Sequence, residues 1–279
     1  MTGPGRVGAA KTRFSDLRPR LESGLALLVV GAAAVWLGGR VFESLTLLIA
    51  GAMTWELARL GNPERPGLHF VIAVATALSV AGAAEVLFDP TVLNPMFDPR
   101  MAVLALGPAL FLITPRRDRL LAAFWTLLVV LACISLIQTR LAGGVWIAWI
   151  LGVVIVSDAA GYFFGRLIGG PKFWPALSPK KTWSGTVAGW IAAMLWTAIL
   201  LLPWMDPGAA LPLIAMAPVF AFAGQIADLF ESWMKRRAGV KDVSNLIPGH
   251  GGLMDRFDAI TGAAALGLAL EWLRLGFGV

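Results

Sequence analysis

Five acids and five bases fall within the 31 residues from Asp228 to Asp258, in a chain that is otherwise mostly apolar. The acids are Asp228, Glu231, Asp242, Asp255 and Asp258, and the bases are Lys235, Arg236, Arg237, Lys241 and Arg256. On a helix, Asp228, Glu231, Ser232 and Lys235 share one face, because residues three and four apart stack on successive turns. Asp255 and Asp258 share another face, at the start of the last apolar run. Between them lies Pro248-Gly249-His250-Gly251-Gly252, a turn whose glycines permit close backbone approach. Carboxylates from two helix ends, facing a basic loop, suit a magnesium–polyphosphate site. Hard oxygen ligands hold the cation and the bases neutralise phosphate charge.

Two earlier stretches carry polar groups that an ordinary apolar run would avoid. In the first, Asp158, Gly161, Tyr162 and Gly165 fall on one helix face. The glycines would admit a neighbouring backbone, and a carboxylate at bilayer depth usually faces a polar cavity. The second runs from Ser178 through Pro179, Lys180, Lys181, Thr182, Trp183 and Ser184 to Gly185. Lysines and hydroxyls just before a helix N-terminus make an anion cradle, where backbone amides and the helix dipole favour a phosphate. Each stretch also has a plainer reading. The first would then be a small-residue packing face with one helix-end acid, and the second a basic loop with an N-capping hydroxyl. In the first half, Glu56 with Arg59 reads as a helix-end ion pair, and His69 as an interfacial polar residue.

These groups need elements to hold them, and composition says which. The chain has 279 residues, 58% hydrophobic and only 14% charged. That is too much apolar surface for one soluble core. The apolar runs are long and do not alternate with period two, so the expected fold is all-α, a polytopic transmembrane helical bundle. Nine spans are expected, near 22–38, 41–60, 68–88, 101–114, 120–139, 144–165, 185–203, 211–233 and 258–278. The run at 101–114 is the shortest and contains Pro108. Three regions follow: a basic N-terminal segment 1–21, N-terminal transmembrane helices 22–140, and a C-terminal transmembrane catalytic region 141–279. The last carries the long loops 166–184 and 234–257. With the N-terminus in the cytoplasm, 19 of the 23 Lys and Arg residues fall inside, and only Arg40, Arg100, Arg140 and Arg274 fall outside. This is the bias that orients membrane proteins, and it places all three polar stretches toward the cytoplasm. The net charge of +6 is therefore read as topology and phosphate binding, not nucleic-acid binding. The lone Cys133 lies in an apolar run and reads as a small buried hydrophobe.

Together the three stretches resemble the phosphatidate cytidylyltransferase, or CDP-diglyceride synthetase, family. The resemblance rests on Ser232, Lys235-Arg236, Lys241-Asp242, Pro248 to Gly252, and Asp255-Arg256-Phe257-Asp258, in that order and spacing. It extends to the Ser157-Asp158 and Tyr162 element and to Ser178-Pro179 with Lys181-Thr182. The chain departs from the pattern at Ser184, where the family often has an acid, at Ala227, where Gly is common, and at Ser244-Asn245, which replaces a glycine-containing pair. The resemblance implies transfer of CMP from CTP to phosphatidic acid, giving CDP-diacylglycerol and pyrophosphate, in the inner membrane. It implies Mg2+, one or two cations, on Asp228 and Asp255. Lys241, Asp242 and His250 join these acids as catalytic residues. Lys180, Lys181, Thr182, Ser232, Lys235, Arg236, Gly251, Gly252, Arg256, Asp158 and Tyr162 are the expected substrate contacts. A homodimer is a further family expectation. Two other readings stay open from the residues alone. One is a lipid kinase of the polyprenol or dolichol type, transferring a γ-phosphoryl group. The other is an ion-coupled transporter with Asp158, Asp228 and Glu231 along its path.

Overall fold

The computed structural model describes residues 17–92 and 98–277. The expected basic segment 1–21 lies outside them apart from the backbone of 17–21, as do residues 93–97 of an expected outer loop. Nine α-helices follow one another among the described residues: α1 Leu17–Leu37, α2 Gly39–Gly61, α3 Pro66–Leu87, α4 Leu106–Ile113, α5 Arg119–Ala142, α6 Gly144–Ile168, α7 Trp183–Leu201, α8 Pro207–Arg237 and α9 Met254–Phe277. Helix is the expected answer for apolar runs in lipid, where each backbone amide must be satisfied within its own segment. A hairpin of β1 Lys172–Trp174 and β2 Ser178–Thr182 joins α6 to α7.

The nine expected crossings are not all of one kind. Six helices, α2, α3, α5, α6, α7 and α8, are long and apolar enough to cross a membrane. The run expected at 101–114 is instead a 3-10 stretch, Pro99–Ala105, leading into the eight-residue α4. Gly107 packs against Thr76 in α3 there, and its amide donates to Ser79 Oγ at 3.1 Å. The apolar part of α1 is also short, Glu22–Leu37. α9 carries Asp255, Arg256, Asp258, Glu271 and Arg274. The protein is therefore membrane-embedded and all-helical apart from its hairpin.

Two apolar cores organise the bundle. One is built around Trp125, Phe111, Met53 and Leu57, and the other around Ile147, Val153, Ala193 and Ala263. α8 and α9 pack on each other and contribute to both cores. Cys133 is buried in the first, as expected of a small hydrophobe. α6 and α7 cross at glycines: a Cβ on Gly185 would lie 2.5 Å from Gly161 O and 3.1 Å from Gly165 Cα. That close approach brings the hairpin against the polar end of α6.

Two features mark the polar ends of α8 and α2. α8 has 31 residues, about 46 Å at 1.5 Å per residue. The hydrocarbon layer is about 30 Å thick, so α8 is longer than one crossing needs and part of it extends beyond the layer. The end of α2 is anchored nearby. Arg116 donates to Leu57 O at 3.1 Å and pairs with Asp118 at 2.6 Å. That guanidinium holds the Asp118 carboxyl below the ordinary carboxylate range. His69 was expected at the interface but is buried, and its Nε2 lies 2.6 Å from Asn62 O just past α2. The isopropyl group of Gly185→Val would separate α6 from α7. The expected cost is about 1–3 kcal/mol, seen as a lower melting temperature of the purified protein. An unchanged melt would show that the crossing has slack.

Candidate active site

The carboxylates of Asp228, Glu231 and Asp258 converge. Each offers an oxygen, and these oxygens all lie within 4.8 Å of one another. Asp228 and Glu231 come from successive turns of α8, and Asp258 from the first turns of α9. Glu231 is fully buried and Asp258 nearly so. Neither Glu231 oxygen has a hydrogen-bond partner among the described residues, although the Lys235 ammonium is in ion-pair range of Oε2. Three carboxylates this close repel one another, and burial raises the cost. A divalent cation with hard oxygen ligands would relieve both, so the donor set fits Mg2+.

Asp255 behaves differently from its neighbour Asp258. Its Oδ1 accepts from Lys235 Nζ at 2.6 Å, and its Oδ2 from the amides of Val243 at 3.1 Å and Gly252 at 2.8 Å. Sequence reading put one or two cations on Asp228 and Asp255. The structure gives Asp228 other companions, Glu231 and Asp258, and uses Asp255 to hold the 238–253 loop. Lys235 links the two groups by pairing with both Glu231 and Asp255.

The hairpin supplies a second ammonium. Strand residues alternate sides, so adjacent Lys180 and Lys181 diverge. Lys181 pairs with Asp228, whereas Lys180 is exposed. Ser232 Oγ is 3.5 Å from Asp228 Oδ1, a long contact. Asp158 is exposed on α6, with Lys181 and Asp228 as charged neighbours. Tyr162 is exposed too, and its hydroxyl accepts from Arg166 at 3.2 Å. Thr182 turns inward as the N-cap of α7, its Oγ1 accepting from Gly185 N at 3.2 Å. Ser184, at the position of an expected acid, donates to Gly169 O at 2.5 Å and lies 3.0 Å from Thr182 Oγ1. It fastens the hairpin to the end of α6.

The glycine turn is built around two acids. Gly251 has a φ of +83°, which favours glycine. A Cβ there would meet Asp255 Oδ2 at 2.9 Å, and one on Gly252 would meet Glu56 Oε1 at 2.7 Å. Arg256 donates twice to His250 O, at 3.0 and 2.7 Å. His250 Nδ1 lies 2.7 Å from Ser23 Oγ, and that hydroxyl also donates to Pro248 O at 2.9 Å, so α1 touches the turn. Arg236 donates to Val240 O at 3.2 Å, and Lys241 and Asp242 are exposed at the mouth of the loop.

The chain is also similar to known proteins over most of its length. The model of a cytidylyltransferase family matches residues 18–272. The chain belongs to the cytidylyltransferase family. It is 32% identical over 263 residues to the phosphatidate cytidylyltransferase of Brucella suis biovar 1 (strain 1330), covering 91% of this chain and 92% of that protein. It is 40% identical over 125 residues to the phosphatidate cytidylyltransferase of Staphylococcus saprophyticus subsp. saprophyticus, covering 44% of this chain and 48% of that protein.

In this cytidylyltransferase, one site residue escaped sequence reading. Glu56 was expected to pair with Arg59 at a helix end. It is fully buried instead, and Arg59 lies over the Trp55 ring at 5.5 Å. Glu56 accepts from Ser244 Oγ, from Leu253 N at 3.0 Å and from Met254 N at 2.7 Å. It thus caps the N-terminus of α9, the helix that carries Asp255 and Asp258, where a negative charge also meets the helix dipole. The only signal in sequence was a carboxylate in an apolar run, since its partners lie almost 200 residues away. A glutamine there can accept with one atom only. Glu56→Gln is expected to lose about 1–3 kcal/mol of stability by leaving an amide unsatisfied, and to lower turnover in protein that still inserts. Wild-type stability and rate in this variant would remove Glu56 from the site.

Proposed function

We propose that the protein is a CTP:phosphatidate cytidylyltransferase, transferring CMP from CTP to phosphatidic acid to form CDP-diacylglycerol and pyrophosphate. The observation that carries this reading is the acid cluster of Asp228, Glu231 and Asp258, flanked by Lys181 and Lys235, at the end of a long membrane helix. Membership of the cytidylyltransferase family and the names of the two relatives support it. A lipid phosphate and a water-soluble triphosphate can meet only at a membrane boundary, and the excess length of α8 supports placing the cluster there.

The chain's own groups divide the work. Asp228, Glu231 and Asp258 would hold Mg2+. When bound, the ion would neutralise triphosphate oxygens and stabilise charge developing at the α-phosphorus. The phosphatidate monoester is largely ionised near neutral pH, so it can attack without a strong base. Lys181 lies beside the exposed face of α6 with Asp158 and Tyr162, on the side from which a lipid headgroup would arrive. Lys235 stays buried between Glu231 and Asp255, and Glu56 and Asp255 keep the loop in register beneath the nucleotide. The enzyme sits in the inner membrane with its N-terminus and active site toward the cytoplasm, an orientation supported by the 19-to-4 division of basic residues. The remaining helices would bring the crossings to nine, and a homodimer is the assembly the family resemblance favours.

Incubation of the purified enzyme with phosphatidate and CTP labelled at the α-phosphorus tests the reaction. Label should enter the lipid, and label retained in CDP would mark a kinase instead. Asp228→Asn and Asp255→Asn should each lower incorporation by on the order of 100-fold or more, with membrane insertion intact. Activity within a few-fold of wild type in either variant would contradict the assignment.

A further inference from the structure

A cavity of about 700 Å³ opens between α2 and the 240–246 segment of the signature loop. Its volume lies in the roughly 300–1,000 Å³ range of small-molecule sites. Trp55 and Arg59 line one wall, and Lys241, Asp242, Ser244 and Asn245 line the other. The first wall is a stack, with the Arg59 guanidinium 5.5 Å from the Trp55 ring centroid. The second is polar, and of its side chains Ser244 is bonded to Glu56. Among the described residues, the side chains of Lys241, Asp242 and Asn245 make no hydrogen bond or ion pair. All three side chains are exposed, so they stand open to a ligand entering the cavity.

The chemistry matches one ligand class. A pyrimidine base can stack on the guanidinium plane of Arg59, backed by Trp55. Cytosine presents an exocyclic amine that donates, beside a ring nitrogen and a carbonyl that accept. An ionised carboxylate only accepts, so Asp242 suits the amine of cytosine and repels the carbonyl that uracil carries there. The Asn245 amide can donate to the adjacent acceptors. Lys241 is left for phosphate oxygens. The cavity is also joined to the acid cluster through the protein: Val243 N is held by Asp255, Asp255 by Lys235, and Lys235 pairs with Glu231. Ser244 is fixed to Glu56.

We propose that this cavity is the nucleotide subsite, with Asp242 and Asn245 reading the cytosine edge against the Arg59–Trp55 wall and Lys241 on the phosphates. The inference rests on the CTP-dependent reading above and assigns the base selectivity to α2 and residues 242–245. Asn245 belongs to the pair that departs from the family pattern, so the reading is specific to this chain.

The test is equilibrium binding of labelled CTP to the full-length protein in detergent without phosphatidate, with UTP as competitor, beside the transfer assay. Monodisperse gel filtration shows that each variant is folded. Asn245→Ala and Trp55→Leu should each weaken CTP binding by roughly 5- to 150-fold, the span of a good base contact. Asp242→Asn should collapse the preference for CTP over UTP. The phosphatidate KM should stay at the wild-type value in all three. Unchanged CTP affinity and unchanged preference in the three variants, with wild-type transfer intact, would overturn the subsite and leave the reaction standing. Wild-type CTP binding that responds to the variants, without transfer to lipid, would keep the subsite and overturn the reaction. No CTP binding by wild type would overturn both.

Discussion

The site depends on one buried ammonium. Lys235 sits in the last turns of α8 and pairs with Glu231 on its own helix and with Asp255 on α9. An isolated carboxylate at this depth would be costly, and four of them in neighbouring turns more so. Lys235 joins those four into two groups with different tasks. Glu231 stays with Asp228 and Asp258, the three acids proposed above to hold a cation. Asp255 is turned away to the loop amides of Val243 and Gly252. A single side chain thereby stands between the acid cluster and a structural anchor.

The N-terminal half takes part in this arrangement through α2. Glu56 reaches the start of α9 and the signature loop, so the position of Asp258 depends on a helix encoded almost 200 residues earlier. Arg116 and His69 in turn satisfy carbonyls at the end of α2. The same helix offers Trp55 and Arg59 to the cavity beside the loop. The first half is therefore both membrane scaffold and one wall of the site. At the opposite side, the hairpin delivers Lys181 to Asp228 and leaves a face of α6 exposed. The two sides suit two substrates of opposite solubility.

Much of this was legible in sequence, where periodicity governs the answer. The spacing of Asp228, Glu231, Ser232 and Lys235 placed them on one face of α8, and they are there. The apolar runs located the helices, and the glycines at 161 and 165 announced close approach of a neighbouring backbone. What periodicity does not carry is which neighbour a side chain meets. Asp255 and Asp258 are three residues apart on one helix, yet one faces the loop and the other the acid cluster, because the loop amides reach only the first turn. Glu56 looked like half of a local ion pair, since its true partners are remote amides with no signature in sequence. The strand pair in 166–184 was read as loop because its alternation spans only a few residues. The break of the expected fourth span into a 3-10 stretch and a short helix follows from packing at Gly107, a tertiary effect.

The central claim is that Asp228, Glu231 and Asp258 form a cation site while Asp255 serves the loop. Titration of the purified protein with Mn2+, followed by the loss of the free-ion paramagnetic resonance signal, tests it most directly. The account predicts saturable binding that weakens by about tenfold or more in Glu231→Gln and Asp258→Asn. Wild-type Mn2+ affinity in both variants would contradict the account and return the metal to another set of acids.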